Sequence, residues 1–182
     1  MTYDVLAIAG SLRRGSWNRR LLEAADGLAP SDMRVHVYDG LADIPMLDED
    51  REAAGSRLES VVRLRALVGD ADGILFATPE YNRSIPGVLK NAIDWLSRSE
   101  ALAGKPVAVI GATPGRWGTR LAQAELRRVL DATEAAVMPA PALFIASAAE
   151  RFEENGRLVD EAVRKSLSLV LAGFVGWIEK VR

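Results

Sequence analysis

The sequence predicts an α/β fold in which a five-stranded parallel sheet is covered by helices on both faces. Short apolar runs alternate five times with segments of helical periodicity, a pattern typical of parallel sheets. The chain has 182 residues, 49% of them hydrophobic, which suits one domain with a sizeable core. We therefore expect a single three-layer sandwich that spans residues 1–182.

Five apolar or alternating runs predict the strands. The fifth is expected to be interrupted, because Pro139 and Pro141 cannot donate backbone hydrogen bonds. In the second strand, Val35 and Val37 alternate with His36, which is expected to be a structural or surface residue. The predicted strands are residues 3–9, 33–38, 73–77, 105–111, and 136–138 together with 143–145.

Apolar residues at helical spacing predict a helix after each strand. The helix after Pro86 has a continuous apolar stripe and carries Asn91 on its polar side. Segment 39–51 is rich in acids and contains glycine and proline, so it is predicted to be a surface loop. The predicted helices cover residues 21–30, 58–68, 87–98, 119–131 and 158–181.

Composition narrows the classes of function. The net charge of −2 and the pI of about 5.6 give no general attraction to nucleic acid or an anionic membrane. The chain has no cysteine and one histidine, which argues against thiol chemistry, a histidine-built metal centre and a catalytic triad. The longest apolar run, residues 167–178, is shorter than the roughly 20 residues of a spanning helix. The N-terminus lacks the layout of a signal peptide, so we expect a soluble cytoplasmic protein.

Three loops at the carboxyl ends of predicted strands carry the unusual residues. The first loop (residues 11–16) follows the first strand, the second loop (78–86) the third strand, and the third loop (112–118) the fourth strand. In a flavodoxin-like sheet with strand order 2-1-3-4-5, these loops converge at the edge where such sheets bind ligands. The sequence therefore predicts a flavodoxin-like sandwich with one binding site built from three loops.

The first loop has the features of an anion site. The stretch GSLRRGSWN runs from a strand into a helix, where backbone N–H groups and the helix dipole favour negative charge. Its side chains add hydroxyl and amide donors and a guanidinium fork, which suit a phosphate monoester in size and charge. The predicted phosphate ligands are Ser11, Arg13, Ser16 and Asn18.

Other readings of the first loop fit less well. Gly10 and Gly15 have the spacing of a Walker A loop, but Ser16-Trp17 replaces the Lys-Ser/Thr pair that reaches phosphates and magnesium. Leu12 stands where the dinucleotide fingerprint needs its second glycine. A further alternative makes Ser16 an ordinary helix cap and leaves the neighbouring arginines solvated.

The second and third loops have features that suit a flat ring. Pro79 and Pro86 are expected to hold the second loop extended, so that its backbone N–H and C=O groups line the edge of an isoalloxazine. Tyr81 and Asn82 would add stacking or edge contacts. The glycines of the third loop allow its backbone to approach the far side of the ring.

Some residues of this region have more than one interpretation. Glu80 is a candidate ring contact, but it also reads as a solvated acid or an ion-pair partner of Arg83. Trp95 and Trp117 are each compatible with the core, the ring site or a subunit contact. The sequence leaves these alternatives open.

The stretches GSLRRGSWN and PEYNRSIPGVLKNAIDW together resemble the NAD(P)H-dependent FMN reductase family, which includes chromate and quinone reductases. By this resemblance, the FMN phosphate is bound by Gly10, Ser11, Arg13, Ser16 and Asn18. The ring is held by Pro79, Glu80, Tyr81, Asn82, Ser84, Pro86 and Gly87, with Thr113 and Gly115 of the third loop.

The resemblance also implies an activity. It is hydride transfer from NADPH or NADH through bound FMN to a small-molecule acceptor such as a quinone, a flavin or chromate. No catalytic side chain is assigned, because the cofactor carries the chemistry. Arg14, Arg83 and Arg116 are candidates to meet a 2′-phosphate. The family is often dimeric or tetrameric, and helix 87–98 is the candidate interface of a homodimer or homotetramer.

Two other functions are compatible with the same fold. One is a flavodoxin-like FMN electron carrier that does not oxidise NAD(P)H itself. Such carriers usually have a strongly acidic docking face, for which a net charge of −2 is weak support. The other is a flavin-free nucleotide-binding or regulatory module.

Overall fold

The computed structural model describes residues 1–53 and 58–182, and a parallel sheet lies at their centre. Within these residues the strand order is β2-β1-β3-β4-β5, with β6 also pairing with β4. All pairs are parallel, so the predicted order 2-1-3-4-5 is confirmed. The strands are β1 (Tyr3–Ala9), β2 (Met33–Tyr38), β3 (Gly73–Ala77), β4 (Pro106–Ala112), β5 (Ala136–Val137) and β6 (Leu143–Ile145).

The fifth position of the sheet is filled by two short strands, as the predicted interruption indicates. The amide of Met138 still donates to Val107, and the chain then leaves the ladder at Pro139 and Pro141. It returns at Leu143, which lies opposite Ile110. Because proline has no N–H to donate, one continuous strand cannot form here.

Helices cover both faces of the sheet, so the three-layer sandwich is confirmed. One face packs against α1 and α6, and the other packs against α3, α4 and α5. The helices are α1 (Trp17–Asp26), α2 (Glu49–Ala53), α3 (Glu59–Asp70), α4 (Gly87–Ser97), α5 (Arg120–Asp131) and α6 (Glu161–Val181).

The central strands are apolar because both of their faces are buried. In β1, Val5 and Ala7 belong to the core on the α1 side, while Leu6 and Ile8 belong to the core on the α3 side. Successive side chains of a strand point to opposite faces, so a strand between two helix layers needs apolar residues throughout. On the edge strand β2, by contrast, His36 is exposed, as predicted for a surface residue.

Two predictions outside the sheet were wrong. Segment 39–51 is not simply a loop, because it contains the 3₁₀ turn Gly40–Asp43 and most of α2. The carboxylate of Asp48 accepts hydrogen bonds from the backbone N–H groups of Asp50 and Arg51, which caps this short helix. The helix α3 also continues through Gly69 to Asp70.

Asn91 was predicted to lie on the polar side of α4, and this was wrong. The residue is buried, with 4% of its surface exposed. Its amide donates to the carbonyl of Pro45 and accepts from the N–H of Leu47. The indole of Trp95 donates to the same Pro45 carbonyl. The chain after β2 therefore lies across α4, and the side chain of Asn91 satisfies its backbone.

Candidate cofactor-binding site

The three loops meet at the carboxyl edge of the sheet, where hydrogen bonds continue the strand ladder. The N–H of Gly10 donates to the carbonyl of Ala77 over 2.9 Å. The N–H of Thr78 donates to the carbonyl of Ile110 over 3.0 Å. The starts of the first and second loops are therefore fixed relative to the neighbouring strands.

The first and second loops are linked by two hydroxyl groups. The oxygens of Ser11 and Tyr81 lie 3.3 Å apart, and either residue can be the donor. Tyr81 is 51% exposed, so it lies on the surface of the site and not in the core. Two residues predicted to contact opposite ends of one cofactor are thus neighbours.

The first and third loops are linked by Asn18, in the first turn of α1. Its amide nitrogen donates to the carbonyl of Ala112, and its amide oxygen accepts from the N–H of Ala112, both over 2.9 Å. Asn18 is 2% exposed. The structure gives this side chain a tethering role that the sequence did not indicate, and its contact with a phosphate stays a prediction.

The second and third loops are linked by Glu80. One carboxylate oxygen accepts from the backbone N–H groups of Leu121 and Ala122, over 3.0 and 3.1 Å. The first turn of α5 has no acidic residue, and Thr119 makes no capping bond, so Glu80 caps this helix from another loop. The carboxylate of Glu80 is partly exposed, but it does not pair with Arg83 in the described residues, and its contact with the ring stays a prediction.

Close backbone contact also joins the end of β4, just before the third loop, to the second loop. A Cβ atom added to Gly111 would lie 2.4 Å from the carbonyl oxygen of Thr78 and 2.2 Å from the hydroxyl of Thr119. Either distance is a severe overlap, so only glycine fits at this position. The end of β4 therefore approaches the second loop as closely as two backbones can.

The second loop was predicted to be extended, but this was wrong for residues 81–84, which fold back on themselves. Tyr81 and Ser84 exchange both of their backbone hydrogen bonds, each over 3.0 Å. The central residues, Asn82 and Arg83, have φ angles of 51° and 65°. These features are those of a two-residue type I′ hairpin, which the prolines at 79 and 86 flank without preventing.

The first loop fits the phosphate for which it was predicted. The N–H groups of Leu12, Arg14 and Gly15 have no hydrogen-bond acceptor within residues 1–53 and 58–182. Ser16 caps α1 by accepting from the N–H of Arg19, and a hydroxyl that accepts one bond still has a hydrogen to donate. The capping role and a phosphate contact are therefore compatible at Ser16.

Arginine side chains surround a cavity beside the first loop. Its volume is about 310 Å³, and Arg13, Arg14 and Arg19 contribute to its lining together with Asp39. Arg13 is exposed and lies over the indole of Trp17, with 5.8 Å between the guanidinium carbon and the ring centroid. This side of the site therefore carries positive charge at the N-terminus of α1.

The third loop is held by the end of β6 and by the chain that follows it. The N–H of Thr113 donates to Ile145, and the carbonyl of Gly115 accepts from Ser147. Within the loop, the hydroxyl of Thr113 accepts from the N–H of Gly115 over 3.3 Å. Both predicted ring contacts of this loop are thus in a fixed turn next to the sheet.

The two tryptophans left open by the sequence have different environments. Trp95 is 1% exposed and belongs to the core. Trp117 is 73% exposed at the tip of the third loop. It lines a groove between the second and third loops, about 430 Å³ in volume, with Glu80, Arg83, Arg120 and Leu121.

Residues 1–53 and 58–182 contain no group of three or more His, Asp or Glu side chains that could hold a metal ion. In the same residues, every helix is too short or too polar to cross a bilayer.

Known proteins are similar to this chain in both sequence and fold. A family model described as NADPH-dependent FMN reductase matches residues 3–150. The chain is 42% identical over 180 residues to an NAD(P)H-dependent FMN reductase of Pseudomonas aeruginosa, covering 98% of this chain and 96% of that protein. It is 38% identical over 186 residues to a 2-hydroxy-1,4-benzoquinone reductase of a Burkholderia species, covering 100% of both chains.

A solved structure agrees with these matches. FerB, a flavoenzyme NAD(P)H:(acceptor) oxidoreductase from Paracoccus denitrificans, superposes with a TM-score of 0.89 at 38% identity, covering 98% of each chain. The family indicated by the two sequence stretches is therefore confirmed. This chain belongs to the NADPH-dependent FMN reductase family.

Proposed function

We propose that this protein holds FMN in its three linked loops, oxidises NADPH or NADH, and reduces a small-molecule quinone. The observation that carries the proposal is the set of three side-chain links among the loops. Ser11 contacts Tyr81, Asn18 contacts the backbone of Ala112, and Glu80 contacts the backbone of Leu121. These links bring an anion-binding turn and a ring-sized rim to one edge of the sheet. The activities named for the relatives support the choice of a quinone as acceptor.

The first loop would bind the phosphate end of FMN. Ser11 and Ser16 supply hydroxyl donors, and Arg13 supplies a guanidinium that can grip two phosphate oxygens. The free N–H groups of the loop also favour a phosphate, since a helix N-terminus favours an anion. Phosphate binding here would fix the position of the whole cofactor.

The second and third loops would hold the ring. Their contribution is orientation, because Tyr81, Asn82 and Ser84 belong to the hairpin, and Pro79 and Glu80 lie at its base, which is tied to α5. Bound FMN would supply the redox chemistry by accepting a hydride equivalent from the nicotinamide and passing electrons to the acceptor. The chain itself needs no acid or base, and its backbone donors would stabilise negative charge on the ring.

Rapid mixing tests this function. The FMN-loaded protein is mixed with NADPH, and separately with NADH, in the absence of oxygen, and the flavin absorbance is followed. We expect fast bleaching, followed by recovery of the yellow colour when a benzoquinone is added. Flavin that stays oxidised with both nucleotides would instead indicate an electron carrier, and protein that binds no FMN would indicate a flavin-free module.

We also propose that the protein works in the cytoplasm, where NAD(P)H is produced. We further propose that it is a homodimer or homotetramer and that its copies contact each other through α4. The resemblance to a family that is often dimeric or tetrameric supports the oligomer. Light scattering coupled to size exclusion measures the mass in solution. A mass equal to that of one 19.7 kDa chain would contradict the oligomer.

A further inference from the structure

We propose that the groove between the second and third loops binds the anionic, planar portion of a substrate, an inference that rests on the proposed function. The groove is lined by Glu80, Arg83, Trp117, Arg120 and Leu121. Its volume of about 430 Å³ is within the usual range for small-molecule sites. It lies beside the predicted ring contacts, so a molecule bound there is next to the reacting centre.

An aromatic ring has a partner in this groove. Trp117 is 73% exposed and Leu121 is 49% exposed, and together they give the groove an apolar side. A tryptophan with so much open surface can stack on a planar ring. Arg116 lies over the same indole, 5.4 Å from its centroid, which adds positive charge at the lip.

Negative charge has partners there too. Arg83 and Arg120 form no ion pair with any carboxylate in the part of the chain that the structure describes. The carboxylate that lines the groove, Glu80, accepts hydrogen bonds from two backbone N–H groups at the N-terminus of α5 and pairs with neither arginine. Two exposed guanidinium groups without a protein anion are therefore available to one ligand, and their planar forks suit phosphate or enolate oxygens.

The backbone of Arg83 gives an independent reason to assign its side chain a role. Its φ of 65° puts it in the left-handed region at the second central position of the hairpin. Glycine is preferred there, because a side chain is strained in that conformation. Strain held by a surface arginine at the rim of a site is typical of a functional position.

Two substrates of the reaction carry this chemistry. One is NADPH, whose adenosine bears a 2′-phosphate that NADH lacks. The other is an acceptor such as 2-hydroxy-1,4-benzoquinone, which is a planar anion at neutral pH, whereas 1,4-benzoquinone is uncharged. Comparing NADPH with NADH, which lacks the 2′-phosphate, and the hydroxyquinone with the uncharged quinone separates the two sources.

The test uses the FMN-loaded protein and two variants, Arg83→Gly and Arg120→Gln. For each we measure kcat/KM with NADPH, NADH, the hydroxyquinone and the unsubstituted quinone. We expect kcat/KM to fall about tenfold for the substrate whose extra anionic group binds here and to stay within about twofold for its counterpart without that group, since a charge-assisted bond is lost. The control is Arg128→Gln, which removes an exposed charge elsewhere on α5 and should change none of the four values.

The pattern of losses decides the outcome. A selective loss with NADPH identifies the 2′-phosphate as the ligand, and a selective loss with the hydroxyquinone identifies the acceptor. Four unchanged values, or four values that fall in parallel, would overturn the proposal. Arg83→Gly should melt at or above the wild-type temperature because it relieves the strained φ. If Arg83→Gly does not fold, the four values of Arg120→Gln decide the outcome. Absence of turnover in the wild type would refute the proposed function and not this groove.

Discussion

Single side chains at the edge of the sheet hold the site together. Asn18 joins the first turn of α1 to the end of β4, and Glu80 joins the second loop to the start of α5. Each side chain satisfies backbone groups that a loop or helix end would otherwise leave unpaired. The same bonds set the spacing between loops, so these residues determine the shape of the site whether or not they touch a ligand.

Arg13 is the residue whose removal should affect cofactor binding most selectively. Arg13→Ala should raise the dissociation constant of FMN about tenfold or more, since bonds to a charged group contribute about 1.5–3 kcal/mol. The side chain is exposed, so the melting temperature of the FMN-free protein should change little. Fluorescence titration with FMN measures the affinity.

The matched control for this change is Arg34→Ala. Arg34 is an exposed arginine at the amino end of β2, in register with Asp4, and therefore lies at the opposite edge of the sheet. Its removal changes the net charge equally and should leave FMN affinity unaltered. The same affinity in Arg13→Ala and the wild type would refute the phosphate assignment.

Glu80 should contribute to stability as a remote helix cap. Glu80→Ala should lower the free energy of unfolding by about 1 kcal/mol, the usual effect of losing a cap. Glu80→Gln keeps an acceptor oxygen and should lose only the helix-dipole part, about 0.3–1 kcal/mol. Urea denaturation of the FMN-free protein measures both effects.

A nearby carboxylate serves as the comparison. Glu125 forms an exposed ion pair with Arg128 on the same helix, so Glu125→Ala should change stability by less than about 0.5 kcal/mol. If Glu80→Ala and Glu125→Ala unfolded at the same urea concentration, the cap would not be a stabilising contact.

The sequence predicted residues of the site when they are contiguous and missed the links between distant segments. GSLRRGSWN and the residues from Pro79 to Gly87 are each one stretch, and their donors can be counted without a structure. The partners of Asn18 and Glu80 are 94 and 41 residues away in the chain. Only the tertiary fold brings such groups together, so no local pattern could have identified them.

At the scale of secondary structure, buried elements were predicted well and short surface elements were not. The central strands are unbroken apolar runs because helices cover both of their faces. In the described part of the chain, α2 has five residues and no buried side chain, so neither periodicity nor propensity indicates it. Its stability comes from the Asp48 cap and from ion pairs of Glu49 and Glu52 with arginines.

The start of α6 should make stability depend on pH. Asp160 accepts from the N–H of Val163 and from Arg151, and these bonds, the first above all, hold its pKa below the ordinary value of 3.8. A carboxylate whose pKa is lower in the folded state stabilises the protein above its unfolded pKa. That stabilisation is lost as the pH falls through the folded pKa.

Asp160→Asn isolates this effect, because asparagine also caps helices but carries no charge. The wild type should melt at a higher temperature than the variant near pH 7, and the difference should shrink as the pH falls below the unfolded pKa of about 3.9 and through the lower folded pKa. Calorimetry across this range measures it. A difference that stayed constant with pH would show that the charge of Asp160 is not responsible.

At the scale of the whole molecule, the alternation of strands and helices determined the topology. Parallel neighbours joined by right-handed crossovers leave few possible orders, and 2-1-3-4-5 brings the ends of β1, β3 and β4 side by side. The helix layers cover both faces of the sheet. The position of the candidate site is thus a consequence of the fold, and the residues proposed to bind the cofactor come from the three loops.

A crystal structure of the protein with FMN tests the central claim most directly. We predict that the phosphate lies within hydrogen-bond distance of Ser11, Arg13 and Ser16, and that the ring lies against the second and third loops. FMN bound at any other part of the surface, with these loops making no contact to it, would contradict the assignment of the site.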